Sequence, residues 1–174
     1  MRKRLLIAAV VGLLAAGLAL AWANLPIEEL PEGFRADRVE VHKKDRVLHL
    51  IRNDRIARTY RVSLGANPEG HKQREGDERT PEGRYAIDYR KEDSSFHLAL
   101  HISYPDSRDR AAAKSRGEDP GGLIMIHGLP NRLPFLGRLH RWFDWTDGCV
   151  AVTNREIEQI WNSVDVGTPI DLFP

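Results

Sequence analysis

The chain has 174 residues, of which 26 are basic and 25 acidic, and its formal charge at pH 7 is +1. That balance offers no concentrated basic surface, which argues against a nucleic acid as partner. A single cysteine, Cys149, rules out an internal disulfide.

Arg2-Lys3-Arg4 opens the chain after Met1, and Leu5 to Ala21 is an unbroken apolar run of 17 residues. Ala21-Trp22-Ala23 adds the small-x-small pattern of a cleavage site. Residues 1–23 therefore read as a secretory signal cut after Ala23, with an uncleaved membrane anchor as the alternative. Either way the remainder is exported and periplasmic. A buried core helix is excluded, because the run has no polar face at any helical period. Removing residues 1–23 leaves 151, the size of one domain, with a net charge of −2.

Residues 24–37 carry Pro26, Pro31 and Gly33 and read as a linker into a domain over 38–174. Val39 and Val41 alternate with polar residues, Lys44-Asp45 marks a turn, and Val47 to Ile51 follows as a second strand. After the tight turn at Asn53-Asp54, Ile56, Arg58, Tyr60, Val62 and Leu64 fall on one face of a third. Gly65 to Arg79 is polar and reads as a surface loop. Further strands are expected around Tyr85, Ile87 and Tyr89, and around Leu98, Leu100, Ile102 and Tyr104. Ser107 to Lys114 predicts a short helix. Leu123 to Ile126 predicts a strand buried on both faces that ends at His127-Gly128. A short helix is expected over Phe135 to Trp142. Thr153-Asn154-Arg155-Glu156 is a capping box, followed by the apolar stripe Ile157, Ile160, Trp161 and Val164 up to Gly167. Thr168 to Phe173 closes the chain as a strand. The fold class expected is mainly β with a few short helices.

An exported compartment is oxidising, so an unpaired cysteine there calls for a use. Cys149 sits in Trp145-Thr146-Asp147-Gly148-Cys149-Val150, a glycine turn rather than a core strand. A free thiol is only a few per cent ionised at pH 7, so nucleophilic use requires a base. His127, at the end of a strand 22 positions upstream, is the candidate. Gly148 lets its own peptide and that of Cys149 turn N–H groups toward a developing oxyanion.

Ile126-His127-Gly128 followed by Thr146-Asp147-Gly148-Cys149-Val150 resembles the signature of the YkuD-type L,D-transpeptidases. Thr80-Pro81-Glu82-Gly83-Arg84-Tyr85 and Ile102-Ser103-Tyr104-Pro105 resemble further segments of that family, and the likeness runs from Arg38 to Phe173. The resemblance implies an L,D-transpeptidase-like β-sandwich with no cofactor and no metal. It implies Cys149 as nucleophile and His127 as base, with Gly128 orienting the imidazole. Gly148 and Cys149 would supply the oxyanion peptides, with Thr146 and Asp147 beside them. The substrate implied is a peptidoglycan stem peptide, cut between diaminopimelate and D-alanine through a thioester. Asp147 replaces the family's usual histidine, and Ala151 its usual arginine or asparagine. Another cation must then meet the substrate carboxylate, with Arg84, Arg132, Arg138 and Arg141 as candidates and Tyr104 as a further substrate contact. Trp142 and Trp145 are candidate walls of a groove. His97 and His101 share one face of a strand with Ala99, without a third ligand at a recognisable spacing.

Three functions remain open on these residues. The first is transpeptidation in cell-wall biogenesis. The second is hydrolysis at the same site, releasing D-alanine or a wall-linked lipoprotein. The third is a silent wall-binding module.

Overall fold

The computed structural model describes residues 2–174. Helix α1 (Arg2–Ala23) precedes a domain built on strands β1 (Arg38–His42), β2 (Val47–Arg52), β3 (Arg55–Arg61), β4 (Gly83–Ser94) and β5 (His97–Ile102). There follow helix α2 (Ser107–Ser115), β6 (Met125–His127), a 3₁₀ segment (Pro134–Trp142), β7 (Val150–Ala151), α3 (Asn154–Ser163) and β8 (Pro169–Phe173). The strands lie in the order β3-β2-β1-β8-β4-β5-β6-β7. Most neighbours are antiparallel; β1 with β8 and β6 with β7 are parallel.

Strand β4 turns this order into two faces. Gly83 to Ala86 pair with β8, whereas Ile87 to Ser94 pair with β5, and the register shifts between Ile87 and Tyr89. Such a bulge bends a strand from one sheet into the next. It also breaks the expected alternation, since Tyr85 and Ile87 are buried and Tyr89 is exposed. The two ends of the order then meet. Ser63 bridges Ala151 and Gly65 bridges Thr146, joining the chain after β3 to β7 and to the turn that carries Cys149. The enclosed core holds Val39, Val41, Leu48, Leu50, Leu100, Ile102, Ile126, Val150 and the buried face of α3.

Several local expectations are corrected. Ile56 is exposed, so the alternation of β3 holds only from Tyr60 through Val62 and Leu64. The strand expected from Leu123 begins at Met125 instead. Leu123 takes a positive φ of 56° just after Gly121-Gly122, which turns its side chain 70% exposed. Helix α3 stops at Ser163, because Val164 is extended and buried; Gly167 serves the turn into β8. The segment read as linker has no helix or strand but lies on α3, where Gln159 Nε2 donates to Glu28 O at 2.9 Å. Leu30 and Phe34 of that segment pack on the core.

Candidate active site

Parallel pairing of β6 with β7 sets Ile126 opposite Val150 and His127 opposite Ala151. Because side chains alternate along strands, His127 and Cys149 emerge on the same side of this pair. Both line one cleft of about 480 Å³, with Lys91, Phe96, Leu123, Met125, Trp145, Thr146 and Asp147 among its walls.

The imidazole is held from three sides. Its Nδ1 lies 2.7 Å from Gly128 O, and its ring packs against Phe96 at 4.5 Å and edge-on to Trp145 at 5.8 Å between centroids. A carbonyl only accepts, so Nδ1 carries the proton and Nε2 is left with a free lone pair. Burial pushes the His127 pKa down to about 4 against the opposing effect of the Gly128 hydrogen bond, so the ring is neutral at pH 7. Behind it, Asn154 Oδ1 at the start of α3 accepts from Leu129 N–H at 2.8 Å. A positioning contact of this kind is invisible in sequence.

The thiol is desolvated as well. Burial raises Cys149 to about 11; Asp147 adds to that, while a hydrogen bond from Met125 N–H opposes it. The sulfur donates to Leu123 O at 3.6 Å, so its own hydrogen bonds run to backbone rather than to the imidazole. Burial thus disfavours charge on both groups, pushing the thiol up and the imidazole down. The resting site is therefore a neutral thiol beside a neutral base.

The turn before Cys149 is shaped by its own residues. Thr146 Oγ1 accepts from Gly148 N–H at 3.2 Å and donates to Cys149 O at 2.8 Å. The Gly148 N–H, expected to face an oxyanion, is thus engaged within the turn. Gly148 has φ +123°, and a Cβ there would lie 2.5 Å from Arg79 O, so no other residue fits. The loop expected between Gly65 and Arg79 consequently backs the nucleophile. Lys43 ties this loop down through Gly70 O, Thr80 O and Glu82.

The cations and the tyrosine proposed for substrate lie elsewhere. Arg84 pairs with Asp171 at 2.8 Å across β4 and β8, and Arg141 with Glu156 at 2.6 Å. Arg138 donates to the carbonyls of Trp22 and Pro26, and Arg132 is exposed outside the cleft. Tyr104 is buried and donates to Pro120 O at 3.0 Å. Trp145 does wall the cleft, and Trp142 does not. Ala151 is buried between His127 and Ser63. His97 and His101 pair with Glu158 and Asp88. Among the described residues the cleft has one cation, Lys91, which shares a 3.0 Å ion pair with Asp93. Lys91 and Phe96 escaped the sequence reading because the β4–β5 hairpin brings them to the site from far along the chain.

A histidine at the end of β6, with its tautomer set by Gly128 O, and a cysteine in the turn entering the parallel β7 thus share one cleft of a two-faced sheet. The family model for the YkuD L,D-transpeptidase catalytic domain matches residues 36–172, and the chain belongs to that family. "Putative L,D-transpeptidase YafK" of Escherichia coli K12 is 28% identical over 132 residues, which are 72% of this chain and 46% of that protein. The chain thus spans about half the length of the curated relatives it matches. Among solved structures, the helical cell shape determining protein Pgp2 of Campylobacter jejuni matches with a TM-score of 0.61 and 23% identity. That match covers 90% of this chain and 54% of Pgp2. Bd1075 of Bdellovibrio bacteriovorus matches with a TM-score of 0.52 and 25% identity, over 87% and 52% of the two chains. The fold is that of the L,D-transpeptidases, and membership of the family implies a role connected with peptidoglycan.

Proposed function

We propose that this chain is an exported L,D-transpeptidase that acts on peptidoglycan stem peptides at the diaminopimelate–D-alanine bond. His127 Nε2 takes the Cys149 proton as the sulfur bonds to the carbonyl carbon. The tetrahedral intermediate collapses, the C–N bond breaks, and the imidazolium returns the proton to the departing D-alanine amine. An acceptor amine then attacks the thioester, loses its proton through His127, and regenerates the thiol. Lys91 is the cation available to a substrate carboxylate. The observation that carries this reading is the shared cleft of Cys149 and His127, with Nδ1 fixed on Gly128 O.

Hydrolysis at the same bond is the second reading, with water replacing the amine. It is favoured by the scarcity of cations in the cleft, since donor and acceptor stems, both anionic, would compete for Lys91. The test uses the full chain with purified peptidoglycan and a carbapenem. The wild-type protein is expected to gain one carbapenem mass, and Cys149→Ala to gain none. Cross-linked or amine-exchanged stems mark transfer, released D-alanine alone marks hydrolysis, and absence of both product and adduct defeats the enzyme reading.

A further inference from the structure

Helix α1 does not end in a free tether. Ala23, its last residue, is only 2% exposed, because Gly137 of the 3₁₀ segment sits directly on its carbonyl. Gly137 has φ +46°, and a Cβ there would collide with Ala23 O. Asn24 Nδ2 donates at 2.8 Å both to Leu20 O inside α1 and to Phe135 O inside the 3₁₀ segment. Arg138 Nη1 adds a bond to Trp22 O at 3.1 Å. The end of an apolar helix is thus tied to the catalytic domain, Trp22 O by Arg138 and Leu20 O through Asn24, which also binds Phe135 O.

The surface around this junction is unusually apolar. Trp142 is 77% and Phe143 66% exposed, and Leu133, Phe135 and Trp22 are exposed beside them. Leu133 and Phe143 also line a small apolar hollow with Leu136 and Trp145. Other exposed large side chains of the domain lie apart from this run in the chain, Ile56 on β3 and Val166 between α3 and β8. A run of exposed aromatics requires a cover, and α1 supplies its identity. Its 22 residues span about 33 Å at 1.5 Å each, enough for a bilayer core of about 30 Å, and its best window has a mean hydropathy of 2.5. A bilayer crossed by α1 must therefore begin where these aromatics stand, at the depth where tryptophan is enriched.

We infer that α1 is retained and that residues 133–143 form a foot seated in the headgroup zone of the same bilayer. This foot fixes the catalytic domain at one height and tilt above the membrane. Trp145 belongs both to the hollow in the foot and to the cleft wall, so the cleft opens close to the lipid surface. The substrate strands within reach are then those nearest the membrane.

The full chain, carrying Cys149→Ser so that no other thiol reacts, is reconstituted in phosphatidylethanolamine–phosphatidylglycerol vesicles. Nitroxide labels are placed singly at Phe135→Cys, Trp142→Cys and Val166→Cys, all exposed positions. Labels at 135 and 142 are expected to be relaxed by oxygen and shielded severalfold from a water-soluble nickel chelate, and the label at 166 to show the reverse. Equal chelate access at 142 and 166 overturns the proposal. Recovery from the producing cell's membranes of a chain whose intact mass lacks residues 1–23 overturns it too. Neither result touches acylation of Cys149, which is read separately by adduct mass.

Discussion

Burial holds Cys149, the proposed nucleophile, in its thiol form. A desolvated thiol near pKa 11 predicts slow alkylation by iodoacetamide at pH 7.5, rising toward a plateau only above pH 10. A midpoint below 8 would show that the free enzyme already holds a thiolate. Asp147 stands two residues away, is exposed, and disfavours the thiolate through its charge. Asp147→Asn is expected to speed labelling at pH 7.5 by about two- to fivefold, a modest gain because solvent screens the pair. Cys149, His127 and Gly128 are legible in the sequence because a strand end and a glycine turn advertise them. Arg84, Arg141 and Tyr104 are not, since an arginine's partner is chosen by register and packing that no local pattern encodes. Asp171 meets Arg84 only because β8 pairs with β4, and Glu156 meets Arg141 only because the 3₁₀ segment crosses the start of α3.

Helix α3 is the element on which the site leans. Its capping box was readable from Thr153 and Glu156, and the Glu156 carboxylate does reach back to Thr153 N–H at 3.0 Å and Thr153 Oγ1 at 2.8 Å. The same carboxylate accepts from Arg141, and both side chains are largely buried. Glu156→Ala removes a cap and strands a guanidinium, which is expected to cost about 3 kcal/mol. In a domain of this size that lowers the thermal midpoint by roughly 6–12 °C, readable by circular dichroism. A change under 2 °C would mean the pair is idle. Two of the expectations that the structure corrects share one cause: backbone geometry that breaks an apolar alternation. The β4 bulge turned Tyr89 outward, and the left-handed backbone of Leu123 removed it from the strand.

Across the whole molecule, two buried imidazoles weaken the fold as the pH falls. His127 falls to about 4 and His140 to about 3, burial being the chief cause for each. The unfolded chain takes up these protons near pH 6.5, while the native state resists, so stability is complete above pH 6.5 and is lost as pH falls toward 4. His127 alone accounts for roughly 3 kcal/mol over that interval. The urea midpoint is expected to drop markedly between pH 7 and 5, and less in a His127→Gln variant; equal drops in the two would assign the weakening elsewhere.

The meeting of the two ends of the strand order has one more effect. A row of unpaired amides invites a second molecule to add its own strand, and concentrated two-dimensional crowding on a surface sharpens that hazard. Here one terminal strand, β7, is two residues long and already bridged at Ser63. The other, β3, presents the exposed Arg55 and Arg61, whose like charges disfavour pairing with a copy of themselves. Neither end of the strand order therefore offers a second copy a long, uncharged edge to pair with.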